Sequence, residues 1–251
     1  MPASTAHSSE TARPKNYFAT THWSVVLTAG RSDTTRALEA LEKVCQTYWF
    51  PLYAYVRRRG HSPEDAKDLT QGYFARLLEH QTLVNANPTR GRFRSFMLGA
   101  MNHFLADERA KQHAQKRGGG CAILSLDLAA AEERFDLEPA NDSSPDKLFD
   151  KQWAAALLGA VLNQLAEEYS RDGKAELFGA LKLTLSGASE SQPYAALASS
   201  LDMSEGTVKV AVHRLRRRYR ALLQAEIEKT VASRQEAKEE MRHLFEVLAG
   251  S

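Results

Sequence analysis

Apolar residues recur along this chain at helical rather than strand spacing. The clearest run lies between positions 193 and 223. Ala195, Leu197, Ala198 and Leu201 form a short apolar face, Asp202-Met203-Ser204 interrupts it, and Val208, Val212, Leu215, Tyr219 and Leu222 resume it in steps of 4, 3, 4 and 3. Such steps line up on one stripe of an α-helix. Ser204 stands where an N-cap hydroxyl accepts a backbone N–H. Asp202 can take a left-handed turn, though less freely than glycine. The pattern predicts a helix, a tight turn and a second helix.

The same period runs through most of the remaining chain. Trp23, Val26, Leu27, Leu38, Leu41, Val44, Cys45, Tyr48, Leu52 and Tyr55 predict one or two core helices, closed by Gly60. Ser62-Pro63-Glu64-Asp65 has the form of an N-cap, an N1 proline and first-turn acids. It opens a helix with Leu69, Tyr73, Phe74, Leu77 and Leu78 inward and Glu64, Asp68, Gln71 and Arg76 elsewhere on its surface. Phe96, Met97, Ala100, Met101, Phe104 and Leu105 make another core stripe, which leaves Phe93 and the loop before it as exposed candidates. Leu148, Phe149, Trp153, Leu157, Leu158, Val161, Leu162, Leu165, Leu177, Phe178 and Leu181 supply the helices that must support the helix-turn-helix, which is too small to bury its own face. Ile227 to Leu248 predict one more amphipathic helix, docked on the second domain or open to a partner.

The expected fold is therefore all-α, with two helical domains joined by a flexible acidic linker. The divisions fall at 1–16, a Ser, Thr, Ala and Pro-rich disordered lead-in; 17–117, the first domain; 118–147, the linker; 148–224, the second domain; and 225–251, a helical tail. The linker opens on Gly118-Gly119-Gly120. From there to Asp150 the acids Asp127, Glu132, Glu133, Asp136, Glu138, Asp142, Asp146 and Asp150 stand against only Arg134 and Lys147. No GK[ST] follows the glycines, so a phosphate loop is disfavoured.

Charge changes the picture by its distribution. The chain of 251 residues has 33 basic and 31 acidic side chains, nearly neutral in sum. Yet the second helix of the 193–223 motif carries Lys209, Arg214, Arg216, Arg217, Arg218 and Arg220 against the single acid Glu205. A helix this cationic, following a tight turn, suits DNA phosphate and the major groove. A second basic and aromatic stretch, from Arg90 to Arg117, mixes cations with Phe93, Phe96 and Phe104, a combination suited to strand-separated nucleic acid.

Cys45 and Cys121 lie far apart and outside any CxxC or Cys/His cluster, which disfavours a disulfide framework and structural zinc. The N-terminus has no signal-peptide pattern, and the longest apolar run, Trp153 to Leu162, is too short to span a bilayer. A cytoplasmic protein is expected. The acids Glu64, Asp65 and Asp68 near His61 could suggest a metal-dependent hydrolase, but helix N-termini attract acids anyway and no second ligand cluster is present. No enzyme activity, metal or cofactor is expected.

Together these blocks resemble a bacterial sigma factor of the sigma-70 superfamily, of the extracytoplasmic-function (ECF) type, over roughly residues 36 to 224. SQPYAALASSLDMSEGTVKVAVHRLRRRYRALL is similar to the family's fourth region, EDAKDLTQGYFARLL to its polymerase-docking helix, and FRSFMLGAMNHFLADERAK to its promoter-melting segment. This sequence has Asp202 where the family's turn has glycine, Phe96 where tryptophan is usual, His103 where asparagine often follows, and Ala211 where a longer polar residue is common.

The resemblance implies that Asp68, Gln71 and Glu64 face core RNA polymerase. It places Asn85, Asn87, Arg90, Arg92, Phe93, Arg94, Asn102, His103 and Arg109 at the melted minus-ten element. Within that set the loop would capture an unstacked base, while Arg92, Arg94 and Arg109 hold phosphates. Ser204, Glu205, Thr207, Lys209, His213, Arg214, Arg217 and Arg218 would meet the minus-thirty-five duplex. Implied partners are core RNA polymerase and promoter DNA, with an anti-sigma factor or another regulator as a further candidate; no membrane or small-molecule substrate is implied. The alternative is an operator-binding helix-turn-helix regulator with an N-terminal sensing domain, which would need no polymerase-docking helix.

Overall fold

Serine hydroxyls set several of the helix starts. Ser62, Ser144, Ser204 and Ser233 each accept a backbone N–H from three residues on, at 3.1, 3.3, 3.1 and 3.2 Å. Each thereby satisfies a donor that the first turn cannot. Pro63 and Pro145 follow two of these caps, where a missing N–H costs nothing. The computed structural model describes residues 35–78, 91–114, 128–137, 144–185 and 193–250.

Among the described residues the chain forms nine α-helices and one 3-10 segment, and no strand. They are α1 (Thr35–Arg58), α2 (Pro63–Leu78), α3 (Phe93–Ala114), α4 (Leu128–Asp136), α5 (Pro145–Arg171), α6 (Ala175–Leu181), α7 (Tyr194–Ser200), α8 (Glu205–Glu228) and α9 (Arg234–Ala249), with the 3-10 segment Lys182–Leu185 after α6. None of the described helices is long and apolar enough to cross a membrane. The all-α expectation holds.

The core is organised around α5. Its first half buries Leu148, Phe149, Trp153 and Leu157 and its second half Val161 and Leu165. It packs most extensively on α1, where Tyr48, Leu52 and Tyr55 are buried, and also on α8 and α9. Tyr55 meets Phe149 edge to face at 6.5 Å. Buried apolar residues from α1 through α9 form one contiguous cluster. The expected division at 147/148 thus falls in the first turn of a helix that serves both halves of the molecule. Within the cluster Cys45 is a packing residue, its thiol pushed up to about 12 by burial, where no nucleophilic thiolate forms.

Part of the stretch expected as a flexible linker is a packed helix. Ala131 of α4 is buried, and Glu132 accepts hydrogen bonds from Arg57 at 2.8 and 3.0 Å and from the Tyr53 hydroxyl. Arg134 lies 3.9 Å over the Phe50 ring and reaches Gln152 at 3.0 Å. Composition shows the acids, but the cation that receives Glu132, Arg57, sits on α1. Residues 118–127 and 138–143 lie outside the described residues, as does the 1–16 lead-in.

The tail forms the expected helix and does dock. Thr230 and Val231 are buried in the turn after α8, and α9 lays Ala237, Glu240 and Leu244 inward against α5 and α8.

Hydrogen bonds from Arg57 hold the Glu132 carboxyl below the ordinary carboxylate range, burial opposing. A depressed folded-state pKa contributes stability that is present at neutral pH and lost as pH falls through it. Glu132→Gln should cost about 1–3 kcal/mol in urea unfolding at neutral pH, and the gap from wild type should shrink in acid.

Candidate nucleic-acid interface

The turn ahead of α8 is built as its residues require. Asp202 has φ of 50°, alone among the described non-glycine residues in the left-handed region. Its short polar side chain makes that conformation less costly than a branched one would. The Met203 N–H then reaches back to the Ala198 carbonyl at 3.0 Å, and Ser204 starts α8. The stripe Val208, Val212, Leu215 and Leu222 is buried, with Tyr219 half-buried and its hydroxyl 3.4 Å from the Leu158 carbonyl. This fixes the rotation of α8 against α5 and turns its other face outward.

On that outward face the charged residues divide. Lys209 pairs with Glu205 at 2.8 Å across one turn, and the Ser204 and Thr207 hydroxyls are 2.7 Å apart. Arg218 makes a two-pronged bond to Glu168 of α5 at 2.7 and 2.6 Å, which depresses the Glu168 carboxyl pKa. Arg216 caps the Thr184 carbonyl at 2.8 Å. His213, Arg214, Arg217 and Arg220 are exposed and make no ion pair among the described residues. Among the described residues Arg214, Arg217 and Arg220 thus form a band of cations without an acidic partner.

The residues expected at a melted strand are placed differently. Phe93, expected at the surface, is fully buried and meets Tyr48 edge to face at 5.4 Å. Its place was readable: 93, 97, 101 and 104 continue one helical stripe through Met97, Met101 and Phe104. Arg94 is 8% exposed, held by Asp150 at 2.5 Å and Glu240 at 2.7 Å, with its guanidinium 5.2 Å from the Trp153 ring centre. Arg92 pairs with Glu240 at 3.0 Å and Glu239 at 3.5 Å. Asn102 accepts from Tyr55 at 2.6 Å and Arg59 at 2.5 Å, tying α3 to α1. His103 and Arg109 are exposed. Asn85, Asn87 and Arg90 lie outside the described residues.

On α2, Glu64 and Asp68 are exposed and Gln71 is half-buried, at i, i+4 and i+7, so they share one face of the helix. His61 is held below its usual pKa by burial and by the Arg109 charge. Among the described residues no three His, Cys, Asp or Glu side chains come together as a metal-binding set.

A capped helix-turn-helix with an uncovered cationic face agrees with the comparison to protein families. The model of the ECF sigma factor family matches residues 52–226. The chain belongs to the ECF sigma factor family. No curated protein and no solved structure matches it. A sigma factor acts in transcription initiation, and the match runs from the last two turns of α1 through most of α8 while leaving α9 outside.

The two kinds of cation on α8 should fail differently on duplex DNA. Arg217→Ala should weaken binding to all sequences alike and lower the salt slope by about one. Lys209→Ala, one turn into the helix and beside Glu205, should flatten sequence preference with the slope little changed. Binding of both variants to randomised duplexes at several salt concentrations checks this.

Proposed function

We propose that this sigma factor directs core RNA polymerase to promoters through three surfaces on separate helices. α2 docks on the polymerase through Glu64, Asp68 and Gln71. The segment leading into α3, with Asn85, Asn87 and Arg90, opens the minus-ten element together with Asn102, His103 and Arg109. α8 enters the major groove of the minus-thirty-five element with its N-terminal turns.

The observation that carries this reading is the rotation of α8. Its apolar stripe is turned inward, so Ser204, Glu205, Thr207 and Lys209 near its start and His213, Arg214 and Arg217 farther along face outward together. Base edges are met at the start of such a helix and phosphates along its length. The acids on α2 have no such use on DNA, which repels them. Uncovered carboxylates on one face suit a basic protein partner, where charge complementarity steers association.

Asp68→Arg tests the polymerase side. Placing a cation where a carboxylate meets a basic surface should weaken binding to core polymerase by roughly a hundredfold, the effect of about 3 kcal/mol of like-charge juxtaposition. Titration of core polymerase with both proteins, each shown folded by circular dichroism, reads the difference. Equal affinity would remove Asp68 from the docking surface.

A further inference from the structure

Glu240 is the one fully buried carboxylate among the described residues, and it lies on α9, outside the segment matched by the family model. Its Oε1 accepts from Arg94 Nε at 2.7 Å, and its Oε2 stands 3.0 Å from Arg92 Nε. Glu239, beside it on α9, approaches Arg92 at 3.5 Å. The Phe93 N–H donates to the Thr230 carbonyl at 3.0 Å, so the turn between α8 and α9 also holds the start of α3. Asp150 of α5 completes the cluster, bonded to Arg94 at 2.5 Å and to His243 of α9 at 3.2 Å.

Two features mark this contact as one that can open. The hold of α9 is limited: Ala237, Glu240 and Leu244 are its buried residues and Met241 and Val247 are partly buried against the core, whereas Phe245 and Leu248 remain at the surface. The buried carboxylate is also incompletely satisfied. Oε2 of Glu240 makes no hydrogen bond of good geometry although it lies beside Arg92. A buried ion pair short of its hydrogen bonds repays its desolvation poorly. Carboxylates and phosphate oxygens ask the same thing of a guanidinium, a planar pair of acceptors.

We propose that α9 is an intramolecular blocker whose Glu239 and Glu240 occupy Arg92 and Arg94 in place of nucleic-acid phosphate. The start of α3 then takes DNA only when α9 leaves. This rests on the reading of the segment around α3 as part of the strand-opening surface. A site hidden in about nine molecules of ten binds about tenfold more weakly than the open one.

The test uses the full chain without polymerase and a fluorescein-labelled single-stranded DNA oligonucleotide. Glu239→Gln/Glu240→Gln should bind it roughly tenfold more tightly than wild type, and adding Arg92→Ala/Arg94→Ala should cancel the gain. Because the Glu variant alters a buried cluster, wild-type protein supplies a second readout. Oligonucleotide binding should speed hydrogen exchange across Arg234–Ala249 while protecting the first turn of α3. Three results overturn the proposal: a Glu variant that melts earlier without binding more tightly, unchanged exchange in α9 on saturation with DNA, or no oligonucleotide binding by any variant. Titration of wild type with core polymerase separates the two readings. Binding to polymerase alongside any of those three results sinks the blocker alone, whereas no binding to polymerase sinks the sigma reading itself.

Discussion

One helix has to satisfy two halves of the molecule at once. The 27 residues of α5 present Leu148, Phe149 and Trp153 near one end and Val161 and Leu165 near the other. The first group packs with α1, and the helix as a whole also supports α8 and α9. Each large apolar side chain fully buried contributes about 1.5–3 kcal/mol, so a few such residues outweigh a typical surface ion pair many times over. The orientation of α8, and with it which of its cations face outward, is therefore set by α5. The helix-turn-helix supplies the chemistry, and α5 aims it.

The near-neutral sum of charges conceals a division of labour among the cations. Arg57, Arg94, Arg216 and Arg218 are spent inside the chain, on Glu132, on Asp150 and Glu240, on the Thr184 carbonyl and on Glu168. Arg214, Arg217 and Arg220 are left to solvent. Only cations of the second kind can release counterions on meeting DNA without first breaking a bond within the protein. Arg218 lies between the two groups: its partner Glu168 is on the surface side of α5, and phosphate competes with such a pair more readily than with the buried one at Arg94.

What was legible in the sequence was what neighbours decide. The Ser62 and Ser204 caps, the left-handed Asp202 and the stripe from Val208 to Leu222 each depend on residues within a turn or two, and each is found as expected. The fates of Arg92 and Arg94 depend on partners elsewhere. Glu240 is 146 positions from Arg94 and Asp150 is 56 away. No spacing rule reaches that far, so a run of cations at the start of α3 read as a free nucleic-acid surface. Phe93 differs, because the stripe that buries it with Met97, Met101 and Phe104 is present in the sequence, and only the basic residues around it suggest an exposed ring. Composition alone marks the acids of α4 as linker, whereas Glu132 is fixed by Arg57 and Tyr53 on α1.

Run-off transcription with purified core polymerase on a library of genomic promoter fragments bears most directly on the function. A sigma factor yields discrete transcripts with defined starts, dependent on added chain and sharing upstream sequence elements. A chain that retards duplex DNA on its own yet leaves core polymerase without a single specific start would be a DNA-binding regulator, and the polymerase-directed reading would be wrong.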